Sequence, residues 1–382
     1  MKKILKSLIA IILMVVIGYL FLPSYVQTAI LHGTPDIDDY KIFYNRSITK
    51  GMPQAWEKSE RYNSYEFAAE DRTALESFEP VAYLVIKDGK LLYEEYWDGY
   101  NDHSLSNSFS AGKTIVSLLI GIAIDEGYIK SVDQKVKDFI PAYDCPENKN
   151  LSIRNLLTMS SGLSWDEAYS SPFSMTTEAY YGTDLRSLIE SLKVVKEPGK
   201  QFEYLSGNTE VLAMIVQAAT GRSISEYTSE KIWQKIGAEH DALWSLDRED
   251  GLEKAYCCFN TNVRDFARFG QLVLNRGRWD STQIVSWDYL QQATAPASYL
   301  KDEDGKTLEY YGFQYWIIDY KDMKIPYMRG ILGQYVLPIK EKNAIVVRLG
   351  HDRSHEYIKH HPKDVYLYLD LAMKILEEAE DK

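Results

Sequence analysis

Ser110 and Lys113 stand three residues apart in the stretch Asn107-Ser108-Phe109-Ser110-Ala111-Gly112-Lys113, directly ahead of the apolar run 114–124. If that run is helical, both side chains project from one turn on the same side. A neutral lysine amine then has the serine proton within reach, and the serine becomes a nucleophile. At the mouth of the helix the serine also meets free N–H groups and the positive end of the dipole, which favour developing negative charge. The competing reading is a buried helix with a snorkelling lysine, because Ser-x-x-Lys arises by chance in many chains.

The elements around this pair have to position it. The runs 81–86 and 91–97 flank Asp88-Gly89 and read as a hairpin with a tight turn. The serine helix stops at Glu126-Gly127, where glycine suits the left-handed conformation that ends helices. Residues 34–78 are polar and weakly patterned, with some helix near 68–76. The middle of the chain reads as helical. It offers a short amphipathic turn at 132–141 ended by Pro141, a capped helix over 152–163, an apolar helix at 209–220 closed by Gly221, and an amphipathic one at 263–275. Toward the C terminus the period changes to short β-type runs at 311–318, 325–328, 334–338 and 344–349, followed by a helix over 365–378. Strands near both ends around a helical middle predict one α/β domain, its sheet built from both chain ends, interrupted by an all-helical insertion. The expected division is 34–130 with 290–382 for the sheet domain and 131–289 for the helical one.

Residues 1–33 stand apart. Lys2, Lys3 and Lys6 precede an apolar run at 8–22, which reads as a signal peptide or a single membrane anchor. No convincing small-x-small cleavage site follows in 23–29, so an uncleaved transmembrane helix is expected, with a secreted protein as the alternative. Lysines before the run and Asp36, Asp38 and Asp39 after it put the N terminus in the cytoplasm and the bulk of the protein outside.

Composition narrows the function classes. The 382 residues are 45% hydrophobic and 26% charged, ordinary for a globular chain with room for a large core. A net charge of −12 without a basic patch argues against nucleic acid as a partner. Cys145, Cys257 and Cys258 cannot all pair, and the adjacent two could bridge only through a strained ring, so three thiols without chemistry are expected. No metal-ligand spacing surrounds them, and no metal or other cofactor is expected.

Four segments, taken in order, carry a resemblance. They are Ser-x-x-Lys on a helix ending Glu-Gly-Tyr-Ile; Leu-Ser-Ile-Arg-Asn-Leu-Leu-Thr-Met-Ser-Ser-Gly-Leu at 151–163; Glu-Pro-Gly-Lys-Gln-Phe-Glu-Tyr-Leu-Ser-Gly-Asn at 197–208; and Asn-Val-Arg-Asp-Phe-Ala-Arg-Phe-Gly at 262–270. Together they resemble the class C β-lactamase-like serine hydrolases, a superfamily that includes penicillin-binding DD-peptidases, family VIII esterases and 6-aminohexanoate-dimer hydrolases. The resemblance covers roughly residues 75–350. The closing segments 330–335 and 346–350 look most like the 6-aminohexanoate-dimer hydrolase branch.

The resemblance implies the β-lactamase/DD-peptidase-like fold, with an antiparallel sheet flanked by helices. It also implies roles: Ser110 as nucleophile, Lys113 as general base, and Tyr204 as the tyrosine that passes a proton to the leaving group. The oxyanion hole would be the N–H groups of Ser110 and of Ile331, which follows Gly330. Ser206 stands where lactamases usually carry asparagine, and either bonds Lys113 or caps the next helix. Asn262 either lines the cleft or caps the helix after it. Trp165 and Asp166 are candidates to face the substrate, whereas His103 and His351 have no partner pattern and read as structural or exposed. The third lactamase motif is Met328-Arg329-Gly330 here, without the hydroxyl that binds a lactam carboxylate. That argues against β-lactam hydrolysis and leaves Arg329 as a possible cation. The expected function is an extracytoplasmic serine hydrolase cleaving an ester or amide of a small-molecule or cell-wall-derived substrate. A cell-wall DD-peptidase, a D-alanyl esterase, or a catalytically silent penicillin-binding-like protein are the alternatives.

Overall fold

Apolar runs from the two ends of the chain become neighbours in one seven-stranded sheet. In the computed structural model, which describes residues 1–380, the strands lie in the order Trp316–Tyr320, Met323–Gly330, Gln334–Ile339, Ala344–Gly350, Pro80–Lys87, Lys90–Tyr96 and Glu57–Lys58. Every pairing is antiparallel except that of the short edge strand Glu57–Lys58 with Lys90–Tyr96. Asp88 and Gly89 both take positive φ, 51° and 75°, as a tight two-residue hairpin turn requires. Along Pro80–Lys87, Leu84 and Ile86 join one apolar cluster while Tyr83 and Val85 join another. Both faces of the sheet are therefore covered, and its strands read as continuous apolar runs instead of alternating ones.

On the first face lies the helix Val263–Leu274, held close because a Cβ at Gly270 would stand 2.7 Å from Ile345 Cγ2. The serine helix Gly112–Asp125 and the helix Gly207–Thr220 belong to the same core. The serine helix is buried from Gly112 to Ala123. Each isoleucine and leucine in that buried stretch thus contributes about 1.5–3 kcal/mol, and no polar face is needed there. The C-terminal helix Lys363–Glu380 covers the second face, where the Tyr83 hydroxyl donates to the Tyr368 carbonyl at 2.8 Å.

The middle of the chain differs from the expectation of an all-helical insertion. Ala242–Ser245 and Phe259–Thr261 join Asn45–Ile48 and Ser106–Asn107 in a second, four-stranded sheet. Strands of two to four residues are too short to show a period. The helix expected at 132–141 is instead two 3-10 turns, and Pro141 starts the second one rather than ending the first, as its fixed φ and missing donor allow. The helix over 152–163 is only Ile153–Leu157, opened by a reciprocal Ser152–Asn155 capping box. The cysteines also correct the expectation: Cys257 and Cys258 are joined in a disulfide within a buried turn, and Cys145 is free.

The N-terminal helix Lys2–Leu20 is long and apolar enough to cross a membrane, and none of its span Lys3–Leu20 is buried. A second helix, Ser24–His32, packs against Met175–Tyr181.

Candidate active site

Ser110 sits in a 3-10 turn, Phe109–Ala111, that leads into the serine helix. Phe109 has φ 43°, a conformation that costs a side-chain-bearing residue on the order of 1–3 kcal/mol. Asn107 secures it, since its Oδ1 accepts from the N–H of Phe109 at 2.9 Å and from that of Cys258 at 3.0 Å. The Ser108 N–H donates to the Phe259 carbonyl at 2.8 Å, so the serine turn is tied to the small sheet.

The large sheet reaches the same place. Its strand Met323–Gly330 crosses the serine turn so closely that a Cβ at Gly330 would stand 2.2 Å from the Ser108 carbonyl oxygen. Only glycine permits that approach. The turn that follows begins at Ile331, with Leu332 at φ 58°. Arg348, fully buried, donates from Nη1 to the carbonyls of Leu332 and Gly333 at 2.7 and 3.0 Å. Gln334 Nε2 donates to the Ile331 carbonyl at 3.2 Å and to that of Gly350 at 2.7 Å. Neither residue was singled out from sequence, where both look like ordinary strand positions.

Lys113 is buried, with its Nζ donating to Ser110 Oγ at 2.8 Å and to the Tyr256 carbonyl at 2.8 Å. The same nitrogen lies 5.2 Å from the centre of the Tyr204 ring. Tyr204 is set by ring contacts with Trp316 and Tyr311, at centroid distances of 5.4 and 6.1 Å. Tyr204, far from both in sequence, is thus brought to the Ser110–Lys113 pair.

The other candidates divide. Ile331 and Gly330 line the cleft beside Ser110. Ser206 takes neither expected role: its Oγ and N–H donate to the two Glu167 carboxylate oxygens at 2.6 and 2.5 Å. Asp166 is exposed, where its side chain accepts only from the Ala168 N–H, and it is Glu167, one residue on, that lines the cleft with Tyr204. The 164–170 loop has no periodicity, so nothing in the sequence favoured one acid over its neighbour. Trp165 is buried against Gly207 and is not among the cleft-lining residues. Asn262 is a helix cap, accepting from the Asp265 N–H at 2.9 Å and donating to Asp265 Oδ2 at 2.8 Å. Arg329 does line the cleft; its guanidinium stacks 3.2 Å from the Trp316 ring centre and donates to the His360 carbonyl at 2.9 Å. His103 meets His240 and His351 meets Asp36, both outside the cleft.

Two cavities open on the nucleophile and share Ser110, Tyr169 and Ile331. The smaller, about 280 Å³, holds Tyr204, Glu167, Arg329 and Arg353. The larger, about 680 Å³, is walled mainly by apolar and aromatic groups, with Tyr180, Tyr256 and Cys257 among them. Behind Tyr180 lies Lys254, whose amine donates to the Tyr180 carbonyl at 2.5 Å. Burial pushes it down to about 7, against the pull of Asp247, Asp39 and Glu210. Among the described residues, no group of three or more His, Cys, Asp or Glu is placed to hold a metal ion. The Lys113 amine is within proton-transfer distance of the Ser110 hydroxyl.

Comparison with known proteins shows the family and the fold. The family model described as Beta-lactamase matches residues 70–359. Over 232 residues the chain is 29% identical to a 6-aminohexanoate-dimer hydrolase from Paenarthrobacter ureafaciens, covering 57% of each chain. It is 28% identical over 168 residues to a D-aminopeptidase from Brucella anthropi, covering 41% of this chain and 31% of that one. The matched part of the chain thus spans about a third to just over half of these relatives' lengths. Among solved structures, a candidate 6-aminohexanoate-dimer hydrolase from Bacillus anthracis superposes with a TM-score of 0.72 at 20% identity. That match covers 90% of this chain and 93% of the other, and establishes the shared fold.

Proposed function

The chain belongs to the beta-lactamase family, and from that premise we propose that it is a serine hydrolase cleaving an ester or amide through an acyl-enzyme on Ser110. One observation carries the proposal: the buried Lys113 amine lies 2.8 Å from Ser110 Oγ with the Tyr204 ring beside it. In its neutral form Lys113 takes the Oγ proton as the bond from Oγ to the substrate carbonyl carbon forms. The negative charge moves onto the carbonyl oxygen, where the N–H groups of Ser110 and Ile331 receive it. Tyr204 gives a proton to the leaving oxygen or nitrogen as that bond breaks, and regains one from Lys113. Water then repeats the sequence on the acyl-enzyme and releases the acid. Each proton transfer by a positioned group is worth about 10²–10⁴-fold, and each oxyanion donor about 10²–10³-fold.

Two relatives are named for hydrolysis, one of the 6-aminohexanoate dimer and one as a D-aminopeptidase, which supports the same reaction class. Arg329 and Arg353 in the Tyr204 lobe suit a leaving group bearing a carboxylate. That favours, as a second reading, a cell-wall DD-peptidase, whose leaving group is D-alanine with a free carboxylate. The exposed apolar helix at the N terminus supports a membrane-anchored, extracytoplasmic enzyme.

The test is kcat/KM for an activated acetate ester. Lys113→Ala and Tyr204→Phe are each expected to lose on the order of 10²-fold or more. Near-wild-type turnover in either variant would mean that the proton goes elsewhere.

A further inference from the structure

The two cavities on either side of Ser110 are chemically unlike, and Tyr204 lies in only one of them. On the proposed mechanism the leaving group departs beside Tyr204, so the acyl part of the substrate must occupy the other. That other cavity, about 680 Å³, falls in the range of ~300–1,000 Å³ typical of small-molecule sites, far more than an acetyl or aminoacyl group fills. Its walls are Phe109 and Leu332 near the serine, Tyr180 and Tyr181 in the middle, and Ala29 and Ile30 at the far end. None of these side chains carries a charge.

The far end matters most. Ala29 and Ile30 belong to the helix Ser24–His32, which follows the apolar helix Lys2–Leu20 after only three residues. Ile30 and Leu31 are 57% and 74% exposed, as is Phe173 at 60% beside the wall residue Pro172. The cavity therefore runs from the nucleophile to an apolar rim next to the segment that resembles a membrane span.

We propose that this cavity seats a long unbranched acyl chain, and that the enzyme's substrates are lipophilic acyl esters or amides rather than short acyl or peptide ones. The proposal rests on the serine hydrolase reading, because it takes the direction of the leaving group from Tyr204. Charged acyl groups are disfavoured for the same reason that alkyl ones are favoured: the walls are mainly apolar and aromatic, with serine and threonine hydroxyls and one imidazole, His355, but no Asp, Glu, Lys or Arg among them.

The test uses the full chain in phosphatidylcholine nanodiscs, with p-nitrophenyl acetate, butyrate and octanoate below their micellar concentrations. From acetate to octanoate kcat/KM should rise at least tenfold, within an upper bound of about fourfold per methylene (~0.8 kcal/mol each). The octanoate-to-acetate ratio should fall tenfold or more in Ala29→Trp, which fills the far end. Ile30→Trp, at the exposed rim, gives a second reading should the first variant fold poorly. A soluble N-octanoyl amino acid ester and a vesicle-borne octanoyl lysophospholipid then separate the sources of the chain: preference for either over its acetyl counterpart supports the seat, and preference for neither overturns it. A flat or falling profile with good acetate turnover also overturns it, while leaving the hydrolase reading intact. Absence of turnover on every ester, with no fluorophosphonate adduct, would fail that reading and this inference with it.

Discussion

Lys113 meets Ser110 because three residues of helix place them so, and that much is written in the spacing. Tyr204 was legible only through the resemblance of its surrounding segment, since one tyrosine among 29 carries no signal of its own. Glu167 was not legible at all: a loop without period hides which of two adjacent acids turns inward. Arg348 falls within the β-type run 344–349 and reads there as an ordinary strand position, yet its guanidinium holds the carbonyls of Leu332 and Gly333 in the turn at Ile331. Its replacement in Arg348→Met leaves the Leu332 and Gly333 carbonyls without that donor and frees the turn that presents the Ile331 N–H. A displacement of about 1 Å at such a site costs on the order of 10²-fold. We expect kcat to fall by about that factor with KM little changed, measured on an activated ester; an equal loss confined to KM would mean that the turn serves binding and not the oxyanion.

At the scale of elements, the hairpin, the serine helix and the closing strands follow from period and turn chemistry, within a few residues. What escaped was the second sheet, whose strands are short, and the link between the strand Lys90–Tyr96 and the helix Val263–Leu274. That link is an ion pair: Arg264 Nε and Nη2 donate to the two Glu94 oxygens at 2.9 and 2.6 Å. Sequence cannot reveal a partner 170 residues away. Burial raises the Glu94 carboxyl, but the donors Arg264, Tyr62 and Tyr96 outweigh it and hold the group below its ordinary 4.5. A carboxyl depressed in the folded state adds stability that is present above about pH 4.5 and lost as pH falls through the lower, folded value. Glu94→Gln is therefore expected to cost about 3 kcal/mol at neutral pH, the low end for breaking a buried pair, because Asp102 remains 2.9 Å from Arg264. Chemical denaturation from pH 7 to 3 should show the wild type losing its advantage over the variant as acid is added; an advantage constant with pH would remove the ion pair from the account.

Across the whole molecule, two chain ends build one sheet, and the loop-rich middle wraps the first face to complete the cleft. The apolar helix Lys2–Leu20 is joined to this body lightly, through a hydrogen bond from the Tyr19 hydroxyl to the Gln27 carbonyl. Removal of residues 1–22 should therefore leave acetate turnover within about twofold of the full chain while abolishing flotation with phosphatidylcholine vesicles; retained flotation would place the membrane contact elsewhere. The measurement that bears most directly on the central claim is the intact mass of the whole protein after exposure to a fluorophosphonate. The account predicts one adduct on the wild type, mapped to Ser110, absent in Ser110→Ala and slowed by on the order of 10²-fold in Lys113→Ala. An adduct of normal yield on Ser110→Ala would contradict it.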